Sequence, residues 1–172
     1  MYIKLIILFV LNSFVSVQYK QSGDSYDKVF YKKGNKITWN DFKQVGYLSD
    51  ASAVTSSALS YDFTETDGKL SISTYCVLYK SESVVSKSKR TNYLLNHEQR
   101  HFDITYIYTM KFTNQVKTIQ DPTEEKIKEV YDSVVKEWDE FQDKYDSETD
   151  NSQDYEAQKL WDAKIDSILS KL

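Results

Sequence analysis

The chain of 172 residues has one cysteine, one proline, four glycines and two histidines. A lone Cys76 cannot form an internal disulfide, and it excludes a cysteine-based zinc site. So little Pro and Gly excludes a collagen-like or linker-dominated chain and leaves few hinges for a turn-rich barrel. There is no basic excess: 22 Lys and Arg stand against 26 Asp and Glu, a net charge of −4. Nothing therefore favours nucleic acid as a partner, since phosphate binding needs a basic face. No apolar run reaches the roughly 20 residues that cross a bilayer. What is plentiful is aromatic: 14 Tyr, 8 Phe and 3 Trp within a chain that is 40% hydrophobic. That composition marks a globular protein, and the length suits one domain.

Residues 1–18 have the order of a secretory signal peptide. Lys4 precedes the apolar run Leu5 to Leu11, and Ser13, Ser16 and Val17 follow. Any point from Ser16 to Gln18 serves as the cleavage site. The expectation is a secreted or periplasmic protein with no stable membrane anchor after cleavage, and no disulfide unless Cys76 pairs between molecules. Residues 19–35 read as a polar N-terminal lead-in, and 36–172 as a single domain.

Within that domain the patterning changes once. Ala51 to Phe63 alternates with period two, which predicts a strand. Thr66-Asp67-Gly68 predicts a turn. Leu70, Ile72, Thr74, Cys76 and Leu78 then form the apolar side of a second strand, pairing with the first as an antiparallel hairpin. After Arg90 the spacing becomes helical. Thr91 or Asn92 caps a helix carrying Leu94, His97, His101, Ile104, Tyr108 and Phe112, with apolar residues on more than one side, so it is predicted central and buried. Asp121-Pro122-Thr123-Glu124 predicts the next start, with Asp121 as cap. A stripe from Ile127 through Trp138 to Tyr145 follows, and Ala157 to Leu172 predicts a last helix. Strands first and helices after give an α+β fold, a small antiparallel sheet followed by three helices.

Both histidines fall in Leu94-Leu95-Asn96-His97-Glu98-Gln99-Arg100-His101-Phe102-Asp103-Ile104. This contains H-E-x-x-H. On a helix, residues four apart share a face, so His97 and His101 can supply two of the four ligands of one zinc ion. Glu98 sits about 100° around the helix and can act as general base without ligating the metal. Asp103 and Arg100 point away, towards bracing and salt-bridging roles.

The run LLNHEQRHFDI resembles the signature of a family of predicted secreted bacterial zinc-dependent peptidases, a domain of unknown function. Trp39-Asn40-Asp41-Phe42 resembles that family's W-x-D-F, and Ala51 to Tyr61 its small-residue strand. Tyr145-Asp146-Ser147-Glu148-Thr149 resembles its Y-D-x-x-T, and Gln158 with Trp161 its closing Q-x-x-W. The resemblance covers roughly residues 36–165. It implies a zincin-like metallopeptidase domain with zinc as cofactor on the central helix and a peptide or protein as substrate. One position departs: where the family usually has T-x-H-G, this chain has Thr149-Asp150-Asn151-Ser152, so Asn151 replaces a histidine. With both histidines spent, a third zinc ligand has to be acidic. Asp146 is favoured because it belongs to the matched motif, and Glu148 and Glu137 are the alternatives. Tyr145 is a candidate oxyanion stabiliser, with packing as its competing role. The competing function is a catalytically degenerate module of the same fold, binding or envelope-associated, with weak or no metal. Substrate specificity and oligomeric state are not legible.

Overall fold

The computed structural model describes residues 27–49, 51–67 and 69–172. The signal-peptide reading of residues 1–18 lies outside them. Among the described residues six strands precede three α-helices: β1 (Lys28–Phe30), β2 (Lys43–Val45), β3 (Ala53–Val54), β4 (Ser57–Thr66), β5 (Lys69–Tyr79), β6 (Val84–Ser86), α1 (Asn92–Val116), α2 (Glu124–Glu148) and α3 (Tyr155–Leu169). The fold is α+β.

The strands form two sheets. One is antiparallel in the order β1-β5-β4, with β4 and β5 paired along their length from Ser57↔Leu78 to Thr66↔Lys69. Its β1 comes from within the 19–35 stretch. The other runs β2-β6-β3 and is mixed, because β2 lies parallel to β6. The expected small antiparallel sheet is present, and this mixed sheet stands in addition to it. The single strand expected over Ala51 to Phe63 is corrected: it breaks at Thr55 and Ser56. Their polar groups are taken by partners off the strand path: the Thr55 hydroxyl donates to Glu98 Oε2 at 2.7 Å, and the Ser56 amide donates to Ser83 Oγ at 3.0 Å. The chain therefore leaves β6 as its neighbour and takes up β5.

Each helix begins where a side-chain oxygen satisfies a free amide. Thr91 Oγ1 accepts from Leu94 N at 3.1 Å, and Asp154 Oδ1 accepts from Ala157 N at 2.9 Å. For α2 the cap is Thr123 and not Asp121: its hydroxyl accepts from Lys126 N at 3.3 Å. Asp121, which precedes Pro122, has φ 48° in the left-handed region. A cap residue takes an extended backbone, as Thr123 does at φ −121°, and Asp121 does not, so the helix starts two residues on.

Helix α1 is the axis of the molecule and touches all three apolar clusters. Leu94 and Phe102 pack with Ile37, Phe42, Cys76, Leu78 and Val85. Phe112 and Val116 pack with Leu59 of the sheet and with Ile127 and Val134 of α2. Ile104 packs with Tyr145, Trp161 and Ile165. Cys76 is a buried small hydrophobe, with its thiol near the Phe102 carbonyl at 3.9 Å.

Between these clusters α1 buries polar side chains, and each is paired. Arg100, 6% exposed, reaches Asp103 at 3.1 Å, Asp162 at 2.9 Å and Asp166 at 2.6 Å. Asp103, fully buried, also accepts from the Tyr31 hydroxyl at 2.9 Å and from Gln99 Nε2 at 2.8 Å. Gln99 Oε1 in turn accepts from the Ile37 amide at 2.8 Å. Arg100 thus clamps α3 to α1 and faces away from the cleft described below. Removing one partner of a buried ion pair leaves the other charge uncompensated. Arg100→Leu is accordingly expected to lower unfolding free energy by about 3–5 kcal/mol in urea titration. Asp166→Asn, at a largely exposed partner, should cost under about 1 kcal/mol.

Candidate metal centre

The three elements that meet at the centre of the domain are α1, α2 and the bend between β3 and β4. His97 and His101 lie one turn apart on α1. On α2, Trp138, Gln142 and Asp146 recur every four residues and present one face to the same space. The bend brings in Thr55. Together with Asn151 and Ser152 these groups line a cleft of about 420 Å³, which Glu98 and residues 51–57 also border.

Three donor atoms converge there. His101 Nε2 lies 3.1 Å from His97 Nε2 and 2.9 Å from Asp146 Oδ1, and His97 Nε2 lies 3.2 Å from the same oxygen. These are the residues among those described whose donor atoms group closely enough to hold a metal ion. Ligands of a tetrahedral zinc at about 2.0–2.1 Å lie about 3.3 Å from one another. The observed edges fall just inside that separation, and two imidazoles with one carboxylate are a donor set zinc accepts. The residues therefore fit the ion.

The hydrogen bonds behind the imidazoles set which nitrogen faces the centre. Gln142 Nε2 donates to the His101 carbonyl at 3.0 Å, so its Oε1 is left to accept from His101 Nδ1 at 2.7 Å. Gln158 Nε2 donates to Asp162 Oδ1 at 2.9 Å, and its Oε1 accepts from His97 Nδ1 at 2.9 Å. Both Nδ1 atoms carry a proton, and both Nε2 atoms turn inward. Tyr145 holds the ring planes: it stacks on His97 at 4.7 Å and meets His101 edge-on at 4.9 Å.

Glu98 is 3% exposed and held by Thr55 at 2.7 Å. Of the other acidic candidates, Glu148 accepts from Trp161 Nε1 at 3.0 Å, and Glu137 pairs with Lys111. Neither joins the cluster. Tyr145 is wholly buried, and its hydroxyl accepts from Gln158 Nε2 at 2.7 Å. Asn151 stands at the cleft rim within three successive left-handed residues, Asp150 (φ 49°), Asn151 (φ 49°) and Ser152 (φ 71°). Asn151 N to Asp146 O at 2.8 Å and Asp154 N to Thr149 O at 2.9 Å hold this turn.

Sequence reasoning missed the supporting residues Gln142, Asp162 and Thr55, and it gave Gln158 no role. Gln142 carried a signal: it precedes Asp146 by four on a helical stripe, the same spacing that pairs His97 with His101. Thr55 carried none, because a strand break at 55–56 interrupts an otherwise regular alternation.

Charge is balanced inside the cluster. Burial pushes His101 down, but the Asp146 carboxylate, helped by Glu98 and Gln142, outweighs it and raises His101 to about 9. Burial likewise pushes Asp146 up, yet the charge and hydrogen bond of His101 hold it well below the usual carboxylate range. The unfolded chain has histidine near about 6.5 and aspartate near about 3.9. The stability from a raised His101 is complete below pH about 6.5 and is lost as pH rises through about 9. That from a depressed Asp146 is present above about pH 4 and is lost on acidification below it. Chelator-treated protein is therefore expected to be most stable between about pH 4 and 6.5 as far as this pair decides it. Thermal unfolding followed from pH 5 to 10 should show an alkaline decline that His101→Gln flattens.

No curated protein and no solved structure matches the chain. Residues 80–154, which carry His97, Glu98, His101 and Asp146, match the model of a family described as a bacterial protein of unknown function (DUF922).

Proposed function

We propose that the protein is a secreted zinc-dependent peptidase of zincin type, in which His97, His101 and Asp146 hold the metal and Glu98 is the general base. One observation carries this reading. The two imidazole Nε2 atoms and Asp146 Oδ1 lie 2.9–3.2 Å from one another, with both Nδ1 protons committed elsewhere. When bound, zinc supplies a Lewis acid for a carbonyl and a lowered pKa for water at the site.

The chain's own groups account for the remainder. Glu98 borders the cleft beside the donor atoms and does not belong to them, which leaves its carboxylate free to take a proton from the attacking water and return one to the leaving amine. The Thr55 hydroxyl occupies Glu98 Oε2 and so holds the carboxylate in one orientation. The cleft is bordered by the residues of the short edge strand β3, and an extended peptide can lie along it. The resemblance of the H-E-x-x-H run to secreted peptidases supports peptide bonds as the substrate and export as the destination. Among the described residues no helix is long and apolar enough to cross a membrane.

Zinc analysis of purified protein is expected to find about one ion per chain, and His101→Ala should lose it. A wild type without zinc after loading and desalting would reject the reading. Glu98→Gln should keep the metal and lower peptide hydrolysis by about 10²–10⁴-fold, measured on a peptide library. Equal turnover by this variant would remove Glu98 from the mechanism.

A further inference from the structure

The tautomer of His97 is set from outside the cleft. Asp162 on α3 accepts from Asn96 Nδ2 at 3.0 Å, from Arg100 Nε at 2.9 Å and from Gln158 Nε2 at 2.9 Å. An ionised carboxylate can only accept. The Gln158 amide therefore has to turn its nitrogen to Asp162, because the flipped amide would set oxygen against oxygen. Its own oxygen, again only an acceptor, then faces His97 Nδ1 at 2.9 Å. His97 has to carry its proton on Nδ1, and its Nε2 lone pair is left pointing at His101 Nε2 and Asp146 Oδ1.

We infer that Asp162 is a positioning residue: through Gln158 it locks His97 in the Nδ1–H tautomer and so presents Nε2 to a metal. A part in stability alone does not account for this arrangement. Arg100 has two further carboxylates, Asp103 and Asp166, to balance its charge. Asp162 is the carboxylate that also meets the amide behind a candidate ligand. The tautomer lock stands on hydrogen-bond chemistry alone, and its effect on metal affinity rests on the zinc reading above.

The two-histidine composition makes the test clean. With ¹⁵N-histidine labelling of the full chain only two imidazoles report, and His101→Ala identifies which belongs to His97. In chelator-treated wild type the long-range ¹⁵N–¹H correlations should show His97 as Nδ1–H. In Asp162→Ala no acceptor stands behind the Gln158 amide, which is free to turn, and the Nε2–H form should appear; Arg100 keeps Asp103 and Asp166. Zinc affinity from chelator competition should fall about 10–100-fold. The paired exchange Asp162→Ala with Gln158→Glu puts a group that can only accept behind His97 at the same total charge. It should recover both the tautomer and the affinity, and it carries the test if the single variant does not fold. His97 remaining Nδ1–H in Asp162→Ala, or becoming Nε2–H in the paired exchange, would overturn the inference. A shifted tautomer in a protein that binds no zinc in any form would uphold the lock and reject the metal reading instead.

Discussion

Two imidazoles one turn apart on a buried helix can offer Nε2 to one cation when each carries its proton on Nδ1 and commits it elsewhere. The rest of the molecule follows from meeting that condition twice. His101 is served from α2 by Gln142 and His97 from α3 by Gln158, and each glutamine is itself oriented by a group that can only accept: the His101 carbonyl in one case, the Asp162 carboxylate in the other. Both later helices therefore have to dock on α1, and they have to dock in register. Tyr145 and Trp161 fill the space between them and fix the planes of the rings. The third donor, Asp146, sits one helical turn beyond Gln142 on the same face of α2.

A central helix with this content cannot be an ordinary core helix. His97, Glu98, Gln99, Arg100 and Asp103 are all buried, and burial without partners costs several kcal/mol for charged groups. Among the described residues one buried side-chain polar atom lacks a partner, the Tyr93 hydroxyl. The apolar core is divided into three clusters, each with residues of α1. The break between β3 and β4 belongs to the pairing of the buried polar groups, since it is where Thr55 leaves the strand to bond Glu98.

The helical half was largely legible in the sequence. Spacing of three and four places α1, α2 and α3, and H-E-x-x-H on a buried helix marks the pair of histidines. With only two histidines in the chain, the search for a third donor narrowed to acids, and Asp146 is the one the fold brings beside them. The sheet half was less legible. Alternation is a property of a single strand and says nothing about which sheet the strand joins, so Ala51 to Phe63 looked continuous. Asp121 looked like a cap because its side chain suits one; a cap also needs an extended backbone, and Asp121 at φ 48° lacks it. Gln142, Gln158 and Asp162 were invisible as a group because a hydrogen-bond relay has no sequence period. Its members come from three helices, and their roles depend on which amide end faces which neighbour.

Neutral amides, not carboxylates, stand directly behind both histidines, and this shapes the electrostatics of the cleft. A carboxylate in that position would make the imidazole more basic. Here the carboxylate behind His97 is one residue further back and is shared with Arg100, so its charge is spent outside the cleft. The donor set then holds a single negative group, Asp146, and the Glu98 carboxylate helps it raise His101. A proton on His101 balances Asp146 by occupying the same space between Nε2 and Oδ1 that a divalent cation would use. On the proposed reading, proton and metal would compete for one position, which would couple metal uptake to loss of the His101 proton and make affinity rise with pH until that proton is gone.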